Sequence, residues 1–218
     1  NGAYLPLRSA SVSIMDRGFQ FADSIYEVWA IRGGRMFDVE AHMARLQRSL
    51  TELQITPPMN EASLMMVMRE TMRRNRVTDG IVYVQVSRGA ANRDHVFPAA
   101  GTAPTLIVTA KNLDRAAIAK RAATGIRVTS APETRWQRRD IKSVNLLPNV
   151  LARQGAKEKG AFEAWFVDEN GLVTEGTSSN AWIVDANGAL RTRELSFDIL
   201  HGVTRGAVLK LAQERQMQ

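Results

Sequence analysis

The chain contains no cysteine, which excludes a disulfide framework and a thiolate metal site and agrees with a reducing compartment. It has only three histidines, His42, His95 and His201, too far apart in sequence for any familiar metal spacing, so no metal is expected. The phosphate cradle G-x-x-x-x-G-K-S/T, the dinucleotide turn G-x-G-x-x-G, the zinc pair H-E-x-x-H and the nucleophile elbow G-x-S-x-G are all missing. Kinase-like phosphoryl transfer, Rossmann redox chemistry and zinc hydrolysis lose their support with them. Long apolar runs are missing too: the longest, Leu64 to Met68 (LMMVM), is far too short to span a bilayer, and the opening residues NGAYLPLRSA carry no apolar signal core. The expectation is a soluble, cytoplasmic protein without a membrane partner. There is no internal repeat and no low-complexity tract.

What is present is ordinary globular composition: 218 residues, 44% hydrophobic and 23% charged, long enough for one large or two small domains. The net charge is +7, which raises the question of nucleic acid. The cations, however, are scattered in small groups, Arg73-Arg74 with Arg76, Lys120-Arg121, and Arg135 with Arg138-Arg139. No aromatic residues are interleaved as a stacking platform, and no helix-turn-helix or zinc-finger spacing appears. The charge reads as a mixed surface plus residues that hold anionic small molecules, and no nucleic-acid partner is expected. A basic nucleic-acid-binding module stays open as the reading of another class.

The first half reads as strands, then helices, then strands. Asp16 to Phe21 (DRGFQF) suggests a tight connection; Ile25 to Ile31, the turn at Gly33-Gly34 and Met36 to Val39 suggest a hairpin. Val39, Met43, Leu46, Leu50 and Leu53 fall on one helical stripe, Pro57-Pro58 ends that helix, and Asn60 is placed to cap a second with Leu64, Val67, Met68 and Met72 facing inward. Gly80 to Val86 and Thr105 to Thr109 read as strands. Periodicity weakens from Lys111 to Ala119, which puts a domain boundary there, between an N-terminal domain over 1–112 and a C-terminal one over 118–218. The second opens with the strand Gly125 to Pro132, a helix runs from about Asn149 to Lys159, and Asn170-Gly171 and Asn187-Gly188 mark two hairpins. A last helix follows Gly202 with Val203, Val208 and Leu211 on its buried stripe. Strands and helices are segregated rather than alternating, so the fold class is α+β.

Six stretches stand out: DRGFQFADSIYEV (16–28), HMARL (42–46), SRGAANRDHVFP (87–98), DIKSVNLL (140–147), VTEGTSSNAW (173–182) and LHGVTRG (200–206). Each alone is weak. Lys142 by itself reads as a surface lysine, Glu175 as a solvated residue past a hairpin, Arg45 as a helix-surface arginine, Leu200 as core, Tyr26 as a strand aromatic, and Arg93 with His95 as a polar loop. In this order and at these separations, from about residue 12 onward, they closely resemble the class IV (fold type IV) pyridoxal-phosphate-dependent aminotransferases, and within them the D-amino-acid aminotransferases.

The resemblance implies a two-domain fold type IV architecture and transamination between a D-amino acid and a 2-oxo acid through a pyridoxal 5'-phosphate Schiff base on Lys142. An amine with that task must be partly desolvated and able to shed its proton. Glu175 would face the pyridine nitrogen, keep it protonated and make the ring an electron sink. Arg45, with Val203 and Thr204 at the start of the last helix, would hold the cofactor phosphate, with Ser179 also binding the cofactor and Leu200 packing on its ring. Arg93 and His95, in an Arg-x-His pair, would trap the substrate carboxylate with the hydroxyl of Tyr26 assisting. The loop that carries them would reach the partner subunit's site in a homodimer. The resemblance also implies a further segment after the helix that holds Thr204, so the C-terminal part of the fold is expected to be incomplete. On the same fold, a branched-chain L-amino-acid aminotransferase and an aminodeoxychorismate lyase remain alternatives, as does a truncated, non-catalytic relative.

Overall fold

A computed structural model describes residues 1–217. It divides into two compact units, Asn1–Arg115 with Ile141–Val144, and Ala116–Asp140 with Asn145–Gln218. The short stretch Ile141–Val144, which lies inside the range expected for the C-terminal domain, thus packs with the first unit.

In the first unit, helix α1 (Arg17–Phe21) precedes strands β1 (Ser24–Arg32) and β2 (Arg35–Met36). Then come helices α2 (Val39–Glu52) and α3 (Glu61–Arg74) and strands β3 (Gly80–Ser87) and β4 (Thr105–Asn112). The DRGFQF stretch is therefore not a bare connection. Asp16 accepts from the amides of Gly18 and Phe19 and so caps a single helical turn. The sheet runs β2-β1-β3-β4 with every pair antiparallel. The two-residue pleat sorts its faces: Ile25, Trp29 and Ile31 of β1 and Val82, Val84 and Val86 of β3 are buried together. Against them α2 brings Met43, Leu46 and Leu50, and α3 brings Leu64, Met68 and Met72, in one apolar cluster. Burial of each such side chain contributes about 1.5–3 kcal/mol. The Asn60 side chain accepts from the amide of Ser63 at 2.8 Å and caps α3 as its sequence position suggests.

Strand β2 pairs only with the end of β1, at Ile31 and Arg32. At the start of β1 the segment 141–144 takes up pairing through an antiparallel bridge between Ile25 and Ser143. That one bridge carries the candidate lysine onto the central sheet.

In the second unit, α4 (Arg115–Thr124) begins at the boundary and buries no residue. It is followed by β5 (Val128–Pro132), α5 (Leu147–Glu158), β6 (Glu163–Val167), β7 (Val173–Gly176), β8 (Trp182–Val184), β9 (Leu190–Thr192) and α6 (Val203–Glu214). The order β5-β6-β7 includes one parallel pair, β5 with β6. A βαβ crossover thus sits inside a fold read as segregated. What makes it possible is an all-alanine contact: Ala152 and Ala156 of α5 lie against Ala131, Ala161 and Ala164, so the helix approaches the strands closely. Both expected hairpins form, with Gly171 at φ +78° and Gly188 at φ +81°, values that favour glycine. In α6 the buried residues are Arg205 and Ala212; of the expected stripe Val203 and Val208 are half-buried and Leu211 is exposed, so that stripe is covered only in part. No helix among the described residues is long and apolar enough to cross a membrane.

Candidate active site

The segment that carries Lys142 is fixed by its backbone at three points. The carbonyl of Lys142 accepts from the amide of Tyr26 at 3.0 Å, the amide of Val144 donates to Ser24 O at 3.1 Å, and the amide of Lys142 donates to Ser49 Oγ at 3.3 Å. With Ile25 opposite Ser143, the antiparallel register sets Lys142 directly across from Tyr26, and directly opposed side chains share a face. The consequence is visible: Lys142 Nζ lies 4.2 Å from the centroid of the Tyr26 ring. The half-buried amine rests on an aromatic face instead of open water. The Tyr26 ring stacks in turn on Tyr83, 5.6 Å away, and burial raises the Tyr83 phenol above its usual pKa.

One residue along, on the core face of β1, Glu27 is fully buried. Its carboxylate accepts from Arg45 Nε at 2.8 Å and Nη2 at 2.7 Å, and from the amide of Val28 at 2.9 Å. It also lies 3.0 Å from His42 Nδ1. An ionised carboxylate only accepts, so His42 carries its proton on Nδ1 in this contact. Burial works to raise the Glu27 pKa. The hydrogen bonds from His42 and Arg45 and the charges of Arg45 and Lys142 outweigh it and bring it down to about 2. Lys142 and Arg45 are therefore electrostatic neighbours of a single buried anion.

Arg93 and His95 lie in the loop between β3 and β4, both exposed. Both rest on the Phe21 ring, Arg93 with its guanidinium carbon 4.7 Å from the centroid and His95 with ring centroids 5.6 Å apart. Among the described residues neither forms an ion pair, and no hydrogen bond joins either to Tyr26 or Lys142.

In the second unit the buried Glu175 side chain, on β7, is held from three sides. Arg135 Nη1 donates to Oε1 at 2.5 Å, Asn180 Nδ2 to Oε2 at 2.9 Å, and the amide of Leu200 to both oxygens at 3.2 Å. Burial raises its pKa against the opposing charge and hydrogen bond of Arg135 and the amide of Leu200. The Arg135 side chain is itself buried and pairs with Glu133 at 2.6 Å, and its guanidinium carbon lies 4.4 Å from the Phe166 ring centroid. Asn180 also donates to the carbonyl of Leu200 at 3.0 Å, and a Cβ at position 202 would come within 2.0 Å of its Oδ1. Residue 202 is thus held to glycine. It caps α6 without a side-chain hydrogen bond, and the first amides of a helix, here those of Val203 and Thr204, have no acceptor within it. Asn180 in this way gathers Glu175, Leu200 and the start of α6. Ser179 is exposed and turned elsewhere: its Oγ is 3.5 Å from Glu163, and its carbonyl accepts from Gly176 N at 2.6 Å.

The first unit offers a half-buried amine on an aromatic face and an arginine paired with a buried carboxylate. The second offers a buried carboxylate next to a helix N-terminus whose glycine cap admits no side chain. Each unit by itself carries groups of a kind that a phosphate-bearing pyridine aldehyde uses: the first an amine able to condense with an aldehyde and a guanidinium, the second a carboxylate and helix-terminal amides. No group of acidic or histidine side chains able to hold a metal ion occurs among the described residues. Sequence reading passed over Glu27, Arg135, Glu133 and Asn180. The signal for Glu27 lay in the alternation Ile25, Glu27, Trp29, Ile31, which puts a carboxylate among core residues. Glu133 and Arg135 are near neighbours in the chain, but the residue that gives their pair a role, Glu175, is 40 positions from Arg135, and Asn180 stood in a marked stretch without its contact to Leu200 being legible.

The family model described as amino-transferase class IV matches residues 24–218. A D-alanine aminotransferase of Bacillus licheniformis is 41% identical over 214 residues, covering 98% of this chain and 74% of the relative. The branched-chain amino acid aminotransferase of Escherichia coli superposes with a TM-score of 0.86 at 24% identity, over 100% of this chain and 74% of that one. A putative 4-amino-4-deoxychorismate lyase of Legionella pneumophila superposes with a TM-score of 0.84 at 23% identity, over 97% and 76%. The last two likenesses are of fold alone.

Proposed function

This chain belongs to the class IV aminotransferases, pyridoxal-phosphate-dependent enzymes, and from that premise we propose that it transfers the amino group of a D-amino acid to a 2-oxo acid. The observation that carries the choice of hand is the pair Arg93 and His95, set together on one ring and without a carboxylate of their own. The 41% identity to a D-alanine aminotransferase supports it. When bound, pyridoxal phosphate supplies an aldehyde that condenses with amines and a ring that accepts the electron pair left at the substrate Cα.

The chain's own residues do the rest. Lys142 Nζ is the amine that holds the cofactor and then takes the proton from the substrate Cα. Glu175 keeps the ring nitrogen protonated. Arg45 and the amides of Val203 and Thr204 hold the phosphate, Leu200 packs on the ring, and Ser179 also binds the cofactor, its hydroxyl turning from Glu163 to do so. Arg93 and His95, with the hydroxyl of Tyr26, hold the substrate carboxylate. Because the proton must face Lys142, the pocket that holds the carboxylate selects the hand. The domain over 1–112 brings the carboxylate loop and that over 118–218 the cofactor face. The working unit is a cytoplasmic homodimer in which each loop serves the partner's site.

The test compares D-alanine, L-alanine and L-leucine as donors to 2-oxoglutarate or pyruvate, with aminodeoxychorismate as a fourth substrate. D-alanine as the preferred donor is expected. Preference for L-leucine moves the protein to the branched-chain group, and release of pyruvate from aminodeoxychorismate without transamination moves it to the lyases. Binding of nucleic acid with no turnover overturns the enzymatic reading.

A further inference from the structure

We propose that Arg17 is the positioning residue of the substrate-carboxylate loop, gripping the backbone on either side of His95 and anchored to the end of α2 through Asp23 and Arg88. The inference rests on the roles given above to Arg93 and His95.

Arg17 is a buried cation, and the first residue of α1. Its Nη1 donates to the carbonyl of Asp94 at 2.7 Å and to that of Val96 at 3.2 Å. These are the residues immediately before and after His95, and Asp94 also follows Arg93. The same guanidinium lies 4.9 Å from the centroid of Phe21, the ring on which Arg93 and His95 both rest. One side chain thus fixes the backbone of the Arg-x-His pair and lies against the platform beneath it.

Arg17 is held in turn. Its Nε donates to Asp23 Oδ2 at 2.8 Å, and Asp23 accepts from Arg88 Nε at 2.8 Å and Nη2 at 2.9 Å. The remaining Arg88 donors reach the carbonyls of Gln54 at 2.7 Å and Leu53 at 2.6 Å, just past the end of α2. The Arg88 guanidinium also lies 3.7 Å from the Phe97 ring centroid. Backbone bonds from Arg17 N to Gly89 O at 2.9 Å and from Ala91 N to Met15 O at 3.2 Å close the base of the loop. Hydrogen bonds from Arg88 and Arg17 keep the half-buried Asp23 carboxyl below its usual pKa against the effect of burial. A connection as long as residues 88–104 samples many conformations unless it is tied. A carboxylate trap works only when its cations wait in place. The chain from α2 through Arg88, Asp23 and Arg17 to the Asp94 and Val96 carbonyls is such a tie.

The experiment uses the holoenzyme with D-alanine as donor and compares Arg17→Met, Asp23→Asn, Arg93→Ala and Arg17→Met/Arg93→Ala, with thermal melting and cofactor absorption as checks of fold and loading. Arg17→Met is expected to raise KM for D-alanine by about tenfold or more, far more than it lowers kcat. Asp23→Asn removes the charge between the two arginines while leaving Arg17 in place, moves KM the same way, and carries the test where Arg17→Met does not fold. Because Arg17 acts through the trap, its replacement in the Arg93→Ala background should add little. An unchanged KM in the folded variants overturns the proposal, as does a penalty in that background as large as in the wild type. Failure of the underlying reading shows separately, as an Arg93→Ala variant whose KM for D-alanine equals that of the wild type.

Discussion

Replacing Glu27 by Gln tests the electrostatic centre of the first unit. The carboxylate is wholly buried between Arg45 and His42, and its pKa falls from 4.5 to about 2. At about 1.4 kcal/mol per unit, that fall is worth about 3 kcal/mol of folding stability. The group's folded pKa is depressed, so the contribution is complete above the unfolded value of 4.5 and disappears as pH falls toward 2. The assay is urea unfolding of wild type and Glu27→Gln side by side, from pH 7 down to pH 3. At pH 7 the variant is expected to be less stable by about 3 kcal/mol or more, because the neutral amide loses the charge that Arg45 and His42 face. By pH 3 the gap should have narrowed by roughly 2 kcal/mol, since the unfolded chain, with its carboxyl at 4.5, has by then taken up the proton that the folded carboxylate still refuses. A gap that stays constant across that range refutes the reasoning, for it would mean that the amide costs packing alone and that Glu27 carries no charge-dependent stability.

Glu175→Gln removes the carboxylate assigned to the ring nitrogen, so the cofactor should still bind while kcat falls by orders of magnitude; an unchanged kcat reduces Glu175 to a structural strand residue. Arg135→Met leaves the buried carboxylates Glu133 and Glu175 without their common cation and should cost about 3–5 kcal/mol in urea unfolding at pH 7. Adding Glu133→Gln to that variant should recover part of the loss, because, of the two carboxylates, only Glu175 then keeps its charge, while Glu133 had retained Arg139 at 3.6 Å as its cation; no recovery would argue that the loss is one of packing over Phe166. Gly202→Ala should disturb cofactor binding more than folding of the first unit, since the added methyl meets Asn180 where α6 begins; unaltered cofactor affinity, measured by absorption titration, would contradict that.

The sequence was legible where a local rule decides. Asn60 caps α3 because its side chain reaches the amide three residues on, and glycines 171 and 188 close hairpins because their backbones need positive φ. The stripe Met43, Leu46, Leu50 is buried because three- and four-residue steps return to one helix face. It was illegible where a distant partner decides. The parallel pairing of β5 with β6 joins segments 35 positions apart in register, Val128 with Glu163, and no local pattern announces it. Helix α4 buries nothing, so it leaves no apolar period to read. Leu211 belongs to an apolar stripe but stays exposed; amphipathicity marks a face without saying what packs on it. The site divides the same way. Lys142, Glu175 and the Arg93–His95 pair stand in recognisable motifs, whereas Arg135, Asn180 and Arg17 act through hydrogen bonds to residues 40, 20 and 77 positions away.

The central claim, that Lys142 is the amine on which the chemistry turns, is tested most directly by one absorption experiment on wild type and Lys142→Ala. Each protein is mixed with pyridoxal phosphate and then with D-alanine and 2-oxoglutarate. The wild type should shift the cofactor band toward the visible, respond to D-alanine and produce pyruvate, while Lys142→Ala, folded as judged by its melting curve, should show neither the shift nor turnover. A Lys142→Ala variant that kept the shifted band and the wild-type rate of pyruvate formation would contradict the account.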